Sequence, residues 1–111
     1  MTTAKSFDPK PSIDLNGKKV GNDGAQAVAA VVSVCDDVDF VSLSQNKITN
    51  DGALALAAMV REAKAVDTLH LVNNAIEERG AEALAAACHA STLMIRLNLN
   101  LNTVPQKLVQ E

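Results

Sequence analysis

The sequence predicts an α/β solenoid of about three strand–turn–helix units stacked side by side and followed by one further strand. Three observations predict it. Written in rows of 28, residues 12–39, 40–67 and 68–95 align with one another and with a partial row, 96–104; rows one and two share 12 identities and rows two and three share 9. Chemically unlike columns stay in phase: Leu15, Leu43, Leu71 and Leu99; Asn46, Asn74 and Asn102; Gly24-Ala25, Gly52-Ala53 and Gly80-Ala81. Each row also changes its hydrophobic period midway, from the two-residue spacing of a strand to the 3.6-residue spacing of a helix.

The elements follow in order. Val41-Ser42-Leu43 and Leu69-His70-Leu71 alternate apolar and polar residues, as do their counterparts around Ile13 and Leu97. These are short strands with columns two and four turned inward. Helical stripes come next, each predicting a helix of about three turns: Ala25, Val28, Ala29 and Val32; then Ala53, Leu56, Ala57 and Val60; then Ala81, Leu84, Ala85 and Cys88. Asn22-Asp23, Asn50-Asp51 and Glu77-Glu78 stand at the helix starts, where they can cap free amides and oppose the helix dipole. Arg61 and Lys64 lie near the end of the second helix, where positive charge is favoured. One such unit cannot bury its own stripe, but stacked units can, with the strands in a parallel sheet and the helices in an outer layer. Val31, Val34, Leu54 and Met59 are expected on the outward side of the helices.

On these residues the chain resembles the leucine-rich repeat proteins, and with its 28-residue period the ribonuclease-inhibitor type. Row two carries the pattern as Val38, Val41, Leu43, Asn46, Ile48 and Gly52-Ala53; row three carries it as Val66, Leu69, Leu71, Asn74, Ile76 and Gly80-Ala81, continuing into Leu84-Ala85. The resemblance implies a right-handed horseshoe, with its parallel sheet on the concave face and its helices on the convex face. It also implies that Asn46, Asn74 and Asn102 bond backbone groups of their own and the neighbouring turn, forming a ladder between coils. Row one has Lys18 in that column, as suits a terminal coil with no predecessor. Residues 1–11 are then an N-terminal cover or disordered lead, with Phe7 placed to shield the first coil, and residues 105–111 are a C-terminal tail. The uncovered last strand, with Leu99, Leu101 and Leu108 nearby, is expected to pair with a second copy.

Composition narrows the function. One domain fits 111 residues. A net charge of −3 lacks the clustered cations of a nucleic-acid surface, and two aromatic residues cannot build a stacking platform. No apolar run approaches a membrane span and no secretory leader is evident, so a cytoplasmic location is expected. Cys35 and Cys88 are too few for a disulfide framework and have no ligand-spaced partners, so no metal or cofactor is expected. Cys88 reads as a small core hydrophobe and Cys35 as a packed or half-exposed helix-end residue.

Columns one, three and five of the strands should line the concave face. Phe40 and Arg96 are the leading candidates for contact with a protein partner, because aromatic and Arg side chains carry most interface energy. His70, Asp14, Ser42 and Asn98 stand beside them. Asp14, Ser42 and His70 occupy one column in successive coils, but serine between acid and base is the wrong order for a nucleophilic triad, so no catalytic residue is assigned. The expected role is therefore a non-enzymatic protein-interaction module. The alternatives are an activator-like regulator of a small GTPase, a cytoskeletal repeat protein like some actin-capping proteins, or a piece of a longer array.

Overall fold

The computed structural model describes residues 11–93 and 96–103. Four three-residue strands alternate with three thirteen-residue helices: β1 (Ser12–Asp14), α1 (Gly21–Ser33), β2 (Phe40–Ser42), α2 (Asn50–Glu62), β3 (Thr68–His70), α3 (Glu78–Ala90) and β4 (Arg96–Asn98). The strands form one parallel sheet in the order β1-β2-β3-β4. Its register is a strict step of one row: Ser12 faces Phe40, Phe40 faces Thr68, and Thr68 faces Arg96. Neighbouring strands lie about 4.8 Å apart and packed helices about 8–10 Å apart. The sheet is therefore the short inner arc of a curved stack.

Between the two layers lies the core. Val41, Leu43, Leu69 and Leu71 from the strands meet Ala25, Val32, Ala53, Leu56, Ala81 and Leu84 from the helices, all fully shielded. Each large side chain of this kind contributes about 1.5–3 kcal/mol on burial. Glycine sets how closely the helices approach. A Cβ on Gly80 would lie 2.7 Å from Asn50 Oδ1 and 2.9 Å from the Ala53 Cβ; one on Gly52 would lie 2.6 Å from Asn22 Oδ1.

Two expectations about the helices are corrected. Met59 does not face outward: it is 0% exposed, packed into the core, whereas its row-one counterpart Val31 is 54% exposed. This column points toward the preceding helix, and α1 has no described helix before it. Val31, Val34 and Leu54 are exposed as expected. The N-cap residues Val20, Thr49 and Glu77 make no side-chain bond to their own helices. Instead Asn22 Oδ1 accepts from Thr49 N and Gly52 N at the start of α2, and Asn50 Oδ1 accepts from Glu77 N and Gly80 N at the start of α3, all at 2.9 Å. Each coil thus caps the helix of the next.

The turns after the strands are held by the expected asparagines. Asn46 Oδ1 accepts from Lys18 N (2.9 Å) and Val20 N (3.2 Å), and its Nδ2 donates to Leu15 O (2.9 Å). Asn74 repeats this with Asn46 N, Ile48 N and Leu43 O, and Asn102 with Ile76 N and Leu71 O. Asn46, Asn74 and Asn102 each serve the coil before them, so Lys18 in the first coil leaves no described turn unserved. Of the expected N-terminal cover only Pro11 lies within the described residues. Phe7, Val104, Leu108 and the tail at 105–111 lie outside them.

Candidate functional site

The open face of the sheet is built by strand alternation: columns two and four point to the helices, so columns one, three and five point away. At its centre the Phe40 and His70 rings meet edge to face, with centroids 5.2 Å apart and planes at 81°. Phe40 pairs directly with Thr68, so His70 is its diagonal neighbour, within reach of an aromatic ring. Both side chains are half-buried. Thr68 beside them donates its hydroxyl to Asp67 Oδ1 at 2.8 Å. Arg96 is exposed on β4, and no described carboxylate lies within ion-pair distance of it. Among the described residues the one ion pair is Arg79–Asp51, at 3.5 Å on the helical side.

The other predicted contacts divide. Ser42 is only 2% exposed, and its hydroxyl donates to Asn16 Oδ1 at 2.7 Å. It therefore supports the face from beneath and does not present a group to a partner. Asp14 is exposed on β1, and its Oδ1 accepts from Asn16 N at 3.3 Å. Asn98 Oδ1 accepts from Asn100 N at 3.0 Å, and its Nδ2 hydrogens have no partner among the described residues.

A second ladder explains these local bonds. In column five the backbone amide of one coil seeks the side chain of the coil before: Ser44 N donates to Asn16 Oδ1 (2.7 Å) and Val72 N to Ser44 Oγ (2.9 Å). Val72 has no acceptor to offer Asn100, and Asn16 has no described coil before it. In both places the column-three side chain of the same strand takes over. What sequence reasoning missed is the inter-coil role of Asn16 and the direction in which Asn22 and Asn50 cap. The signal was available, since short amide side chains at a coil's turns and helix starts in a stacked array face the next coil's free amides.

The Asp14–Ser42–His70 column makes no nucleophile–base–acid chain. Ser42 is committed to Asn16, and His70 contacts the Phe40 ring. Among the described residues no group of three or more His, Cys, Asp or Glu side chains is placed to hold a metal ion. Cys35 and Cys88 are both free and half-buried, and burial pushes the Cys88 thiol above its ordinary range. No described helix is long and apolar enough to cross a membrane. A shallow apolar groove of about 540 Å³ lies on α3, lined by Ala85, Ala86, His89 and Ala90.

With this geometry in place, the likenesses to known proteins are specific about the fold. The Leucine Rich repeat family matches residues 40–57 and 66–85. No curated protein matches the chain in sequence. Among solved structures, leiomodin-1 actin-binding site 2 superposes with a TM-score of 0.81 at 18% identity, over 87% of this chain and 58% of that one. The tropomodulin C-terminal domain of Caenorhabditis elegans superposes with a TM-score of 0.76 at 11% identity, over 88% of this chain and 59% of that one. The chain therefore spans under three-fifths of the length of both structures. At these identities the likeness is one of fold.

Proposed function

We propose that this leucine-rich repeat protein is a non-enzymatic interaction module that holds a segment of a partner protein against the open face of its sheet. The observation that carries this reading is the half-buried Phe40–His70 ring pair at the centre of a hydrogen-bonded sheet, with the exposed Arg96, paired with no described carboxylate, two strands from Phe40. A rigid sheet presents these groups at fixed spacing, so a partner gains contacts with little ordering cost on this side. Phe40 and Arg96 are the anchors, His70 and Asn98 flank them, Asp14 stands at the far edge, and Ser42 holds Asn16 in place. The 28-residue period supports assignment to the ribonuclease-inhibitor type, and the two unpaired cysteines support a cytoplasmic location. The test is capture of a partner by the wild-type chain and by the Phe40→Ala/Arg96→Ala double variant. Loss of the partner with retained folding supports the reading; unchanged capture by the double variant refutes it.

A second reading, an actin-associated repeat domain, draws on the likeness to leiomodin-1 actin-binding site 2 and to the tropomodulin domain. Saturable co-sedimentation with actin filaments, lost on Phe40→Ala, is the result it requires. Protein that stays in the supernatant at all filament concentrations dismisses it. The GTPase-regulator alternative gains no support from these likenesses.

A further inference from the structure

Assuming the open sheet face is the docking surface, its charges are ordered and say what lies on it. Arg96 occupies column one of the last strand, and Asp14 occupies column three of the first. The midpoint of the diagonal joining them falls between column one of β2 and column three of β3, where the Phe40 and His70 rings touch. One end of the diagonal offers donors: the Arg96 guanidinium and the Asn98 Nδ2 hydrogens. The opposite end offers the exposed Asp14 carboxylate, only one oxygen of which is engaged, at 3.3 Å. The middle is aromatic.

Three strand spacings of about 4.8 Å and two residues of about 3.3 Å rise give a diagonal of roughly 16 Å. An extended segment carries same-side side chains at alternate positions, so its residues i and i+4 are roughly 13 Å apart. The length and flexibility of Arg96 close the remaining difference. From this match we propose that the occupant is an extended protein segment with an acidic, an apolar and a basic residue at alternate positions, laid diagonally across the sheet. The acidic residue meets Arg96 and Asn98, the apolar residue meets the Phe40–His70 pair, and the basic residue meets Asp14. The segment's chain direction is left open, because either direction presents the same order of side chains.

The experiment is a titration of isotope-labelled protein, followed by amide chemical shifts, with short capped peptides built around Glu-Thr-Leu-Thr-Lys, Glu-Thr-Leu-Thr-Glu, Lys-Thr-Leu-Thr-Lys and the compressed Glu-Leu-Lys. The zwitterionic, alternately spaced peptide is expected to bind about tenfold more tightly than the two doubly charged ones, each of which exchanges one attraction worth a few-fold for a repulsion of similar size. It should bind a few-fold more tightly than the compressed one, which reaches only one charge. Arg96→Glu should shift the preference to the doubly basic peptide, and Asp14→Lys should shift it to the doubly acidic one. These reciprocal gains cannot come from a damaged fold. Affinities within twofold of one another, or no shifts with any peptide, overturn the proposal. If all peptides perturb β2, β3 and β4 equally, the docking face stands and only the charge order fails. If shifts are confined to α1, α2 and α3, the docking face fails too.

Discussion

Coils one and two share 12 of 28 residues, yet equivalent positions in them meet different surroundings. Met59 is fully buried and Val31 is 54% exposed. Asn46 makes four hydrogen bonds with its side chain, whereas Lys18 in the same column offers its backbone amide to Asn46 and leaves its side chain in solvent. A Cβ on Gly52 would meet Asn22 and Ala25 of the preceding coil, while the atoms nearest a Cβ on Gly24 belong to Val20 of its own turn. In a stacked array, burial is conferred by the neighbour and only made possible by the residue. At these equivalent positions, substitutions should therefore cost stability in the second coil and little in the first.

The largest contrast is expected at the ladder. Asn46→Ala strips partners from Lys18 N, Val20 N and Leu15 O and should destabilise the chain by about 3 kcal/mol, against less than about 0.5 kcal/mol for Lys18→Ala. Urea denaturation of the two variants measures the difference, and equal midpoints would break the comparison. Next comes the column facing the preceding helix: Met59→Ala should cost about 2–4 kcal/mol and Val31→Ala under about 0.5 kcal/mol by the same assay.

A smaller effect of opposite sign sharpens the picture at the turns. The sixth column is left-handed in all four coils: Gly17 (φ 67), Gln45 (φ 61), Asn73 (φ 60) and Leu101 (φ 63). Glycine and asparagine adopt this region readily, but leucine is strained there. Leu101 is also 72% exposed, so it has little packing to lose. Leu101→Gly should raise stability by about 1 kcal/mol, seen as a higher urea midpoint. The weakest expected effect lies at the last strand, which has β3 on one side and no described strand on the other. Light scattering over a concentration series should show self-association, and a Leu101→Lys variant should remain monomeric. A wild-type chain that stays monomeric at the highest concentrations removes the edge-pairing expectation.

Much of this fold was legible because each coil repeats one set of instructions. The alternation around Leu43 and Leu71 and the stripe from Ala53 to Val60 specify strand and helix with no knowledge of neighbours. What the one-dimensional pattern hid was the direction of contact between coils. Met59 looked outward on its own helix, and only the position of α1 turns its column into core. Asn22 and Asn50 looked like caps for the helices they begin, yet their carbonyls serve the next ones. The candidate site followed the same rule. Phe40, His70, Arg96, Asp14 and Asn98 fell on the open face because strand alternation puts them there. Ser42 shares a column with Asp14, His70 and Asn98 but is withdrawn under Asn16, a long-range contact that periodicity does not encode.

The claim on which the functional account rests is that the sheet, and not the helical layer, meets the partner. Placing a photo-activated cross-linking residue at position 40 on the sheet, and in a separate variant at position 54 on the helical side, tests it directly. The account predicts a discrete protein adduct from position 40, competed away by untagged chain, and none from position 54. An adduct from position 54 with none from position 40 would contradict it.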